Sequence, residues 1–349
     1  MSGFQISPSA LNCVAVFLTP ETGAAFVAAL SATLKVFLMG AAGYFVVWRG
    51  LLQPAGVSAL AALVANLTLP CLIFHRFAIQ FDPAQFPNWW VLALAGVALQ
   101  CAQIGLGWLL SRRLSPAQGR DEMTMLLGFQ NSGFFVLPML QGLLPAAEFN
   151  RAAIFLFVFI IFFNGSLWPA GNRVLLKVGV FDWKRILLAP PTLWTIIALV
   201  VFGLFHQQTL GFRDSLLWRS MIGVDAPGAI QLIGDTTIPL ATLVLGATVA
   251  QTIRARNFAN PRFAAEIAFW KLAIWPLVGL AIIKFWPGPL FDDRVLRLLI
   301  MLEFSVPVAT NIAVFCQQHD YPMKLTPAAS LACYALCVIT IPFWVALVL

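Results

Sequence analysis

Four short runs set polar and helix-breaking residues inside otherwise apolar stretches. They are "NLTLP" with Asn66, Thr68 and Pro70; "GFQNSGFFVLP" with Gln130, Asn131, Ser132, Gly133 and Pro138; "DTTIP" with Asp235, Thr237 and Pro239; and "FSVPVATN" with Ser305, Pro307, Thr310 and Asn311. The chemistry such runs can offer is recognition. Amides and hydroxyls supply donors and acceptors, and a helix interrupted by glycine and proline bares backbone groups that lipid cannot satisfy. Two half-helices ending at a common point aim N-termini with partial positive charge at it, which favours an anion. A small carboxylate is therefore the expected guest. Asn131, Ser132, Gly133, Ser305, Thr310 and Asn311 are its expected contacts, with Gln130, Pro70, Pro138, Pro239 and Pro307 shaping the breaks. The competing reading is of proline kinks whose small polar residues serve helix packing.

Ionisable residues within apolar stretches are the second group: Lys35, Asp235, Lys271, Glu303 and, nearer an end, Glu266. Each costs roughly 2.5 to 3.5 kcal/mol at a bilayer centre on insertion scales, so it must face the protein interior or find a partner. Asp235 precedes a break and, with Glu303, is a candidate for coupling to a proton or cation; capping an unwound turn would equally explain Asp235. Lys35 and Lys271 could balance an anion or pair with the acids. His75 and Arg76 follow the first break by little more than a turn and are expected near the outer surface without a role.

Bond-making constellations are missing. There is no HExxH, no paired acidic element and no Walker loop. "LIGD" at Leu232–Asp235 lacks the leading glycine of a GxGD protease motif. His75, His206 and His319 are too dispersed for a zinc site. No enzyme, no metal and no cofactor is expected.

The elements that must hold these residues are membrane helices. Of 349 residues 60% are hydrophobic and only 10% charged, more apolar surface than a soluble globule can cover. Apolar segments near 22–48, 56–78, 88–111, 123–144, 152–172, 186–205, 228–252, 262–286, 295–317 and 325–348 predict ten spans of roughly 20 residues or more. The net charge of +7 comes from basic residues spread singly through loops, never interleaved with aromatics, so nucleic acid is not an expected partner. Placing both termini outside leaves the larger share of Lys and Arg on the inner side, as loop-charge bias demands. The six cysteines lack metal-ligand spacing and read as packing residues.

The polar connection at 173–185 divides the spans into 22–172 and 186–349, with 1–21 as an extension. Five spans is an odd number, so a second half built like the first inserts upside down. One fixed offset carries Asn66, Thr68 and Pro70 onto Asp235, Thr237 and Pro239, and also Phe135 and Pro138 onto Phe304 and Pro307. That agreement predicts inverted repeats.

The runs "LPCLIFHRF" at 69–77, "QNSGFFVLPML" at 130–140, "IPLATLVLGATVA" at 238–250, "VPVATNIAVFCQQHD" at 306–320 and the terminal "ITIPFWVAL" resemble, in order, the auxin efflux carrier family, which includes plant PIN exporters. The resemblance implies an all-α membrane protein of NhaA/bile-acid-symporter-like architecture. It implies ten transmembrane helices in two inverted five-helix repeats, with broken helices 4 and 9 crossing. It further implies elevator-type transport of small organic anions, commonly by a homodimer, in an inner or plasma membrane. Asn131 matches the family's crossing asparagine and Pro307 its ninth-helix proline, while Gln130 stands where a proline is usual. This register pairs Gln130 with Pro307, whereas the repeat offset pairs Pro138 with Pro307. A sodium-coupled symporter of the bile acid type, or a membrane receptor or assembly subunit that moves nothing, are the alternatives.

Overall fold

Long apolar segments give long helices where nothing interrupts the backbone ladder, and paired half-helices where glycine, proline or polar residues do. The computed structural model describes residues 20–84, 86, 88–114, 119–179, 183–254, 261–286 and 289–349, so most of the extension at 1–21 lies outside the described residues. Among the described residues six helices are apolar and long enough to cross a membrane. These are α1 (Pro20–Trp48), α2 (Pro54–Gln80), α3 (Trp89–Leu114), α9 (Ala229–Arg254), α10 (Pro261–Phe285) and α13 (Thr326–Ala346). A further apolar helix, α8 (Pro190–Leu204), turns by 86° into the short helix His206–Phe212.

The remaining apolar segments are broken. Arg120–Gly128 (α4) is followed by Ser132–Leu143 (α5), and Ala146–Phe159 (α6) by Phe163–Val174 (α7). Arg294–Ser305 (α11) is followed by Asn311–Gln318 (α12). The α6–α7 interruption is one the sequence reading missed, having taken 152–172 as a single span. Its bared backbone is repaid from α8, whose Thr192 hydroxyl donates to the Ile161 carbonyl at 2.6 Å.

The broken helices occupy the interior. Every residue from Glu122 to Gly128, from Ala152 to Phe159 and from Leu298 to Ser305 is buried, whereas α1 leaves Val27, Leu38 and Phe45 exposed. This is the arrangement that interrupted backbone requires in lipid: it survives only inside a sheath of intact helices.

The "NLTLP" run does not break its helix. It forms a single π turn, Val64–Thr68, in which the Leu69 N–H reaches back to the Val64 carbonyl, and the helix continues. Two more π turns, Ser132–Val136 and Trp270–Ile274, likewise end two residues ahead of a proline, Pro138 and Pro276. Proline lacks an N–H and its ring crowds the carbonyl four residues back, and a wider turn relieves both problems. "DTTIP" interrupts α9 only at Thr236, between Ala229–Asp235 and Thr237–Arg254.

Two features fix the frame. Helices α1 and α9 touch backbone to backbone, since a Cβ on Gly246 would lie 1.8 Å from the Gly40 carbonyl and one on Gly43 would lie 2.0 Å from that of Leu243. Close approach through small residues is how helices pack where lipid removes the hydrophobic drive. At the start of α13 the buried Glu122 carboxylate of α4 accepts from the N–H groups of Lys324, Leu325 and Thr326 at 2.9, 2.9 and 2.6 Å and from the Thr326 hydroxyl. It is an N-terminal cap delivered from another helix, and it ties α4 to α13.

Candidate functional site

The two gaps, 129–131 and 306–310, meet. Gln130 and Val308 form an antiparallel bridge; the Asn131 N–H donates to the Pro307 carbonyl at 2.9 Å and the Ala309 N–H to the Phe129 carbonyl at 3.2 Å. Each extended segment thus repays part of what the other loses on leaving its helix. The Gly128 carbonyl at the end of α4 is taken by Gln100 Nε2 of α3 at 2.8 Å. Beyond the crossing, α5 and α12 begin, and the first N–H groups of each have no carbonyl of their own helix ahead of them.

Side chains around the crossing form one connected set. Asn131, 5% exposed, donates from Nδ2 to the Tyr334 hydroxyl at 2.7 Å, and that hydroxyl donates to the Val308 carbonyl at 3.0 Å. On the other side, Glu303 Oε2 accepts from Gln130 Nε2 at 2.8 Å and from the Ser132 hydroxyl at 2.6 Å. Thr310 is buried and Asn311 partly so, where α12 begins. Ser305 is wholly buried but its hydroxyl is spent on the Met301 carbonyl of its own helix at 2.6 Å. Gly133 is half-buried in the first turn of α5.

Other sequence candidates lie elsewhere. Pro307 is at the crossing, where its carbonyl accepts from the Asn131 N–H, whereas Pro138 sits beyond the π turn in α5. Pro70 and Pro239 belong to α2 and α9, Pro70 buried and Pro239 exposed. Asp235 is nearly half exposed and pairs with Arg76 at 3.0 Å; Arg76 also donates to Asn150 of α6 at 2.8 Å and lies over the Phe149 ring. Arg76 therefore joins α2, α9 and α6, a role the sequence reading did not give it. Lys35 is exposed on α1, and Glu266 pairs with Arg262. Lys271 is buried in the π turn of α10, within electrostatic reach of Glu303 and Cys333.

Tyr334 was missed altogether. A lone tyrosine in "LACYALC" carries no helix-breaking signal, and only packing puts its hydroxyl at the crossing. Its ring, with Phe135, Phe37, Val36, Leu245 and Val249, lines a cavity of about 220 Å³ between α1, α9, α5 and α13. Gly40 and Gly246, at the α1–α9 contact, line it as well. Tyr334→Phe is expected to strand both the Asn131 amide and the Val308 carbonyl, costing about 2 kcal/mol. A thermal melt of the purified variant in detergent checks this; an unchanged midpoint would show that neither group depends on the hydroxyl.

The family model described as "Membrane transport protein" matches residues 28–171 and 171–345, nearly the whole described chain. The chain belongs to that family. It is the auxin efflux carrier family of the sequence resemblance, a family of membrane transport proteins and not of enzymes. Among its relatives, PIN-LIKES 5 and PIN-LIKES 7 of Arabidopsis thaliana are 29% and 27% identical over 165 residues, 45% of this chain. The match covers only 39% of either plant protein. An uncharacterized transporter of Methanothermobacter thermautotrophicus is 22% identical over 322 residues, 91% of this chain and 98% of the archaeal one.

Proposed function

We propose that this member of the auxin efflux carrier family carries a small organic anion across a cell membrane by alternating access, with the helix crossing as its binding site. The observation that carries the reading is the antiparallel pairing at Gln130 and Val308, which sets two half-helix N-termini and the Asn131 amide at one buried point. The bare N–H groups of those N-termini attract negative charge. The adjoining cavity has apolar walls, which suits an anion with a hydrocarbon or aromatic body. Substrate contacts are assigned to Asn131, Ser132, Gly133, Thr310 and Asn311.

In this reading ten spans form two inverted repeats, 22–172 and 186–349, with both termini outside and the connection at 173–185 inside. Helices α1, α2, α8 and α9 form a static frame, and the block holding the crossing slides against it as an elevator, in a homodimer. The Arg76 contacts to Asn150 cross that boundary and must be remade in each cycle.

Purified protein in proteoliposomes, loaded with malonate, lactate or indole-3-acetate and given the labelled anion outside, tests the proposal. Counterflow of at least one anion, without sodium, is the expected result. Saturable binding with no flux would establish a receptor instead, and strict sodium dependence a symporter of the bile acid type.

A further inference from the structure

We propose that Glu303 is a proton-carrying site electrostatically linked to the anion site, so that one proton accompanies each anion. This rests on the transport reading and deepens it.

The geometry is unusual for a carboxylate buried in lipid-embedded protein. Glu303 is 1% exposed, and both of its donors, Gln130 and Ser132, fall on Oε2; Oε1 has no hydrogen-bond partner. Gln130 Oε1, on the very amide that donates to Glu303, also lacks a donor, and the buried Lys271 Nζ lacks an acceptor. A structural ion pair would join the ammonium to the carboxylate directly, yet no salt bridge links these two among the described residues. Unsatisfied buried groups of this kind are costly and are kept where charge must change. A proton on Oε1 makes it a donor, which is what the orphaned Gln130 oxygen lacks.

The linkage follows from charge. Lys271 and Glu303 together hold zero net charge, or +1 when one further proton is bound. Gln130 and Ser132, which grip the carboxylate, flank Asn131 in the crossing, so an anion there is favoured by the +1 state. By reciprocity the anion raises the proton affinity of the pair. Among the described residues, the groups that bear on Glu303 are Lys271 and the donors Ser132 and Gln130. From α13 the neighbours are Cys333, Tyr334 and Cys337, and from α10 Lys271 alone at this depth. The α5 segment carries no titratable acid or base, and Arg151 of α6 meets Asp293 at the far end of α11.

The sign is fixed: the protonated form binds the anion, so affinity falls as pH rises. For one proton per anion the dissociation constant of indole-3-acetate or malonate rises about tenfold per pH unit above the midpoint. Glu303→Gln, a permanent mimic of the protonated acid, is expected to bind with no pH dependence. Accumulation driven by a pH gradient should be lost in this variant. Lys271→Met removes the cation that favours the carboxylate and is expected to move the midpoint upward. Infrared difference spectra of the reconstituted protein between acid and alkaline pH should contain a protonated-carboxyl band that vanishes in Glu303→Gln. An unchanged pH slope in Glu303→Gln, an unmoved midpoint in Lys271→Met, or the absence of a Glu303-dependent band would each overturn the proposal. Counterflow that persists with such a result leaves the carrier reading intact. A Glu303 band without flux of any anion defeats the carrier reading and not the proton site.

Discussion

Asn131→Ala is expected to reduce anion counterflow by about 100-fold while the protein still folds. The amide places one N–H on the Tyr334 hydroxyl and has its second N–H for an anion at the crossing. A hydrogen bond to a charged partner contributes roughly 1.5 to 3 kcal/mol, or about 10- to 100-fold in affinity, and misplacing the extended segment adds to the loss. Folding should persist because the bridge between Gln130 and Val308 uses backbone groups that alanine retains. Asn66→Ala is the matched control: that amide is exposed and bonded to the Ala62 carbonyl of its own helix. Equal counterflow in wild type and Asn131→Ala would remove the crossing as the substrate site. Equal damage in both variants would point to a general loss of membrane packing.

Gly246→Val is expected to be the most destabilising single change in the frame. The first carbon added would already lie 1.8 Å from the Gly40 carbonyl oxygen and 2.5 Å from its carbon, atoms of a helix backbone that cannot rotate away. Helices α1 and α9 must part, which costs about 3 kcal/mol or more and exposes polar backbone where they had excluded lipid. The measurable result is loss of the monodisperse peak in size-exclusion chromatography, or a melting point lowered on the order of 10 °C. Gly105→Val on α3 meets nothing within 4 Å and should behave as wild type. Gly246 also lines the cavity beside Tyr334, so a Gly246→Ala variant that still folds should report on anion size as well.

Much of this was legible in the residues. Apolar stretches bounded by polar loops announce membrane helices, and Gln130–Gly133 and Ser305–Asn311 announce interruptions, because glycine, proline and amides weaken the local ladder whatever surrounds them. The same reasoning overreached at "NLTLP", where a π turn absorbs Pro70 without ending the helix. It fell short at Ile160–Phe162, where apolar residues leave the helix because Thr192 stands ready to take a carbonyl. Asp235 read as a coupling or a capping acid, and the packing sets it against Arg76 in a partly exposed pair.

The sequence by itself determined that the chain is a bundle of membrane helices and that two segments must break. Each of these follows from composition and from hydrogen bonds lost within a few residues of one another. Only the tertiary structure decided that Gln130 pairs with Val308, that Tyr334 holds Asn131, that Glu303 takes its donors from Gln130 and Ser132 of the opposite broken segment, and that Glu122 caps a helix some two hundred residues away. A broken helix states what its backbone is missing. Which distant group supplies it depends on how the helices pack, and side chains so far apart in the chain meet by three-dimensional proximity that no local pattern encodes.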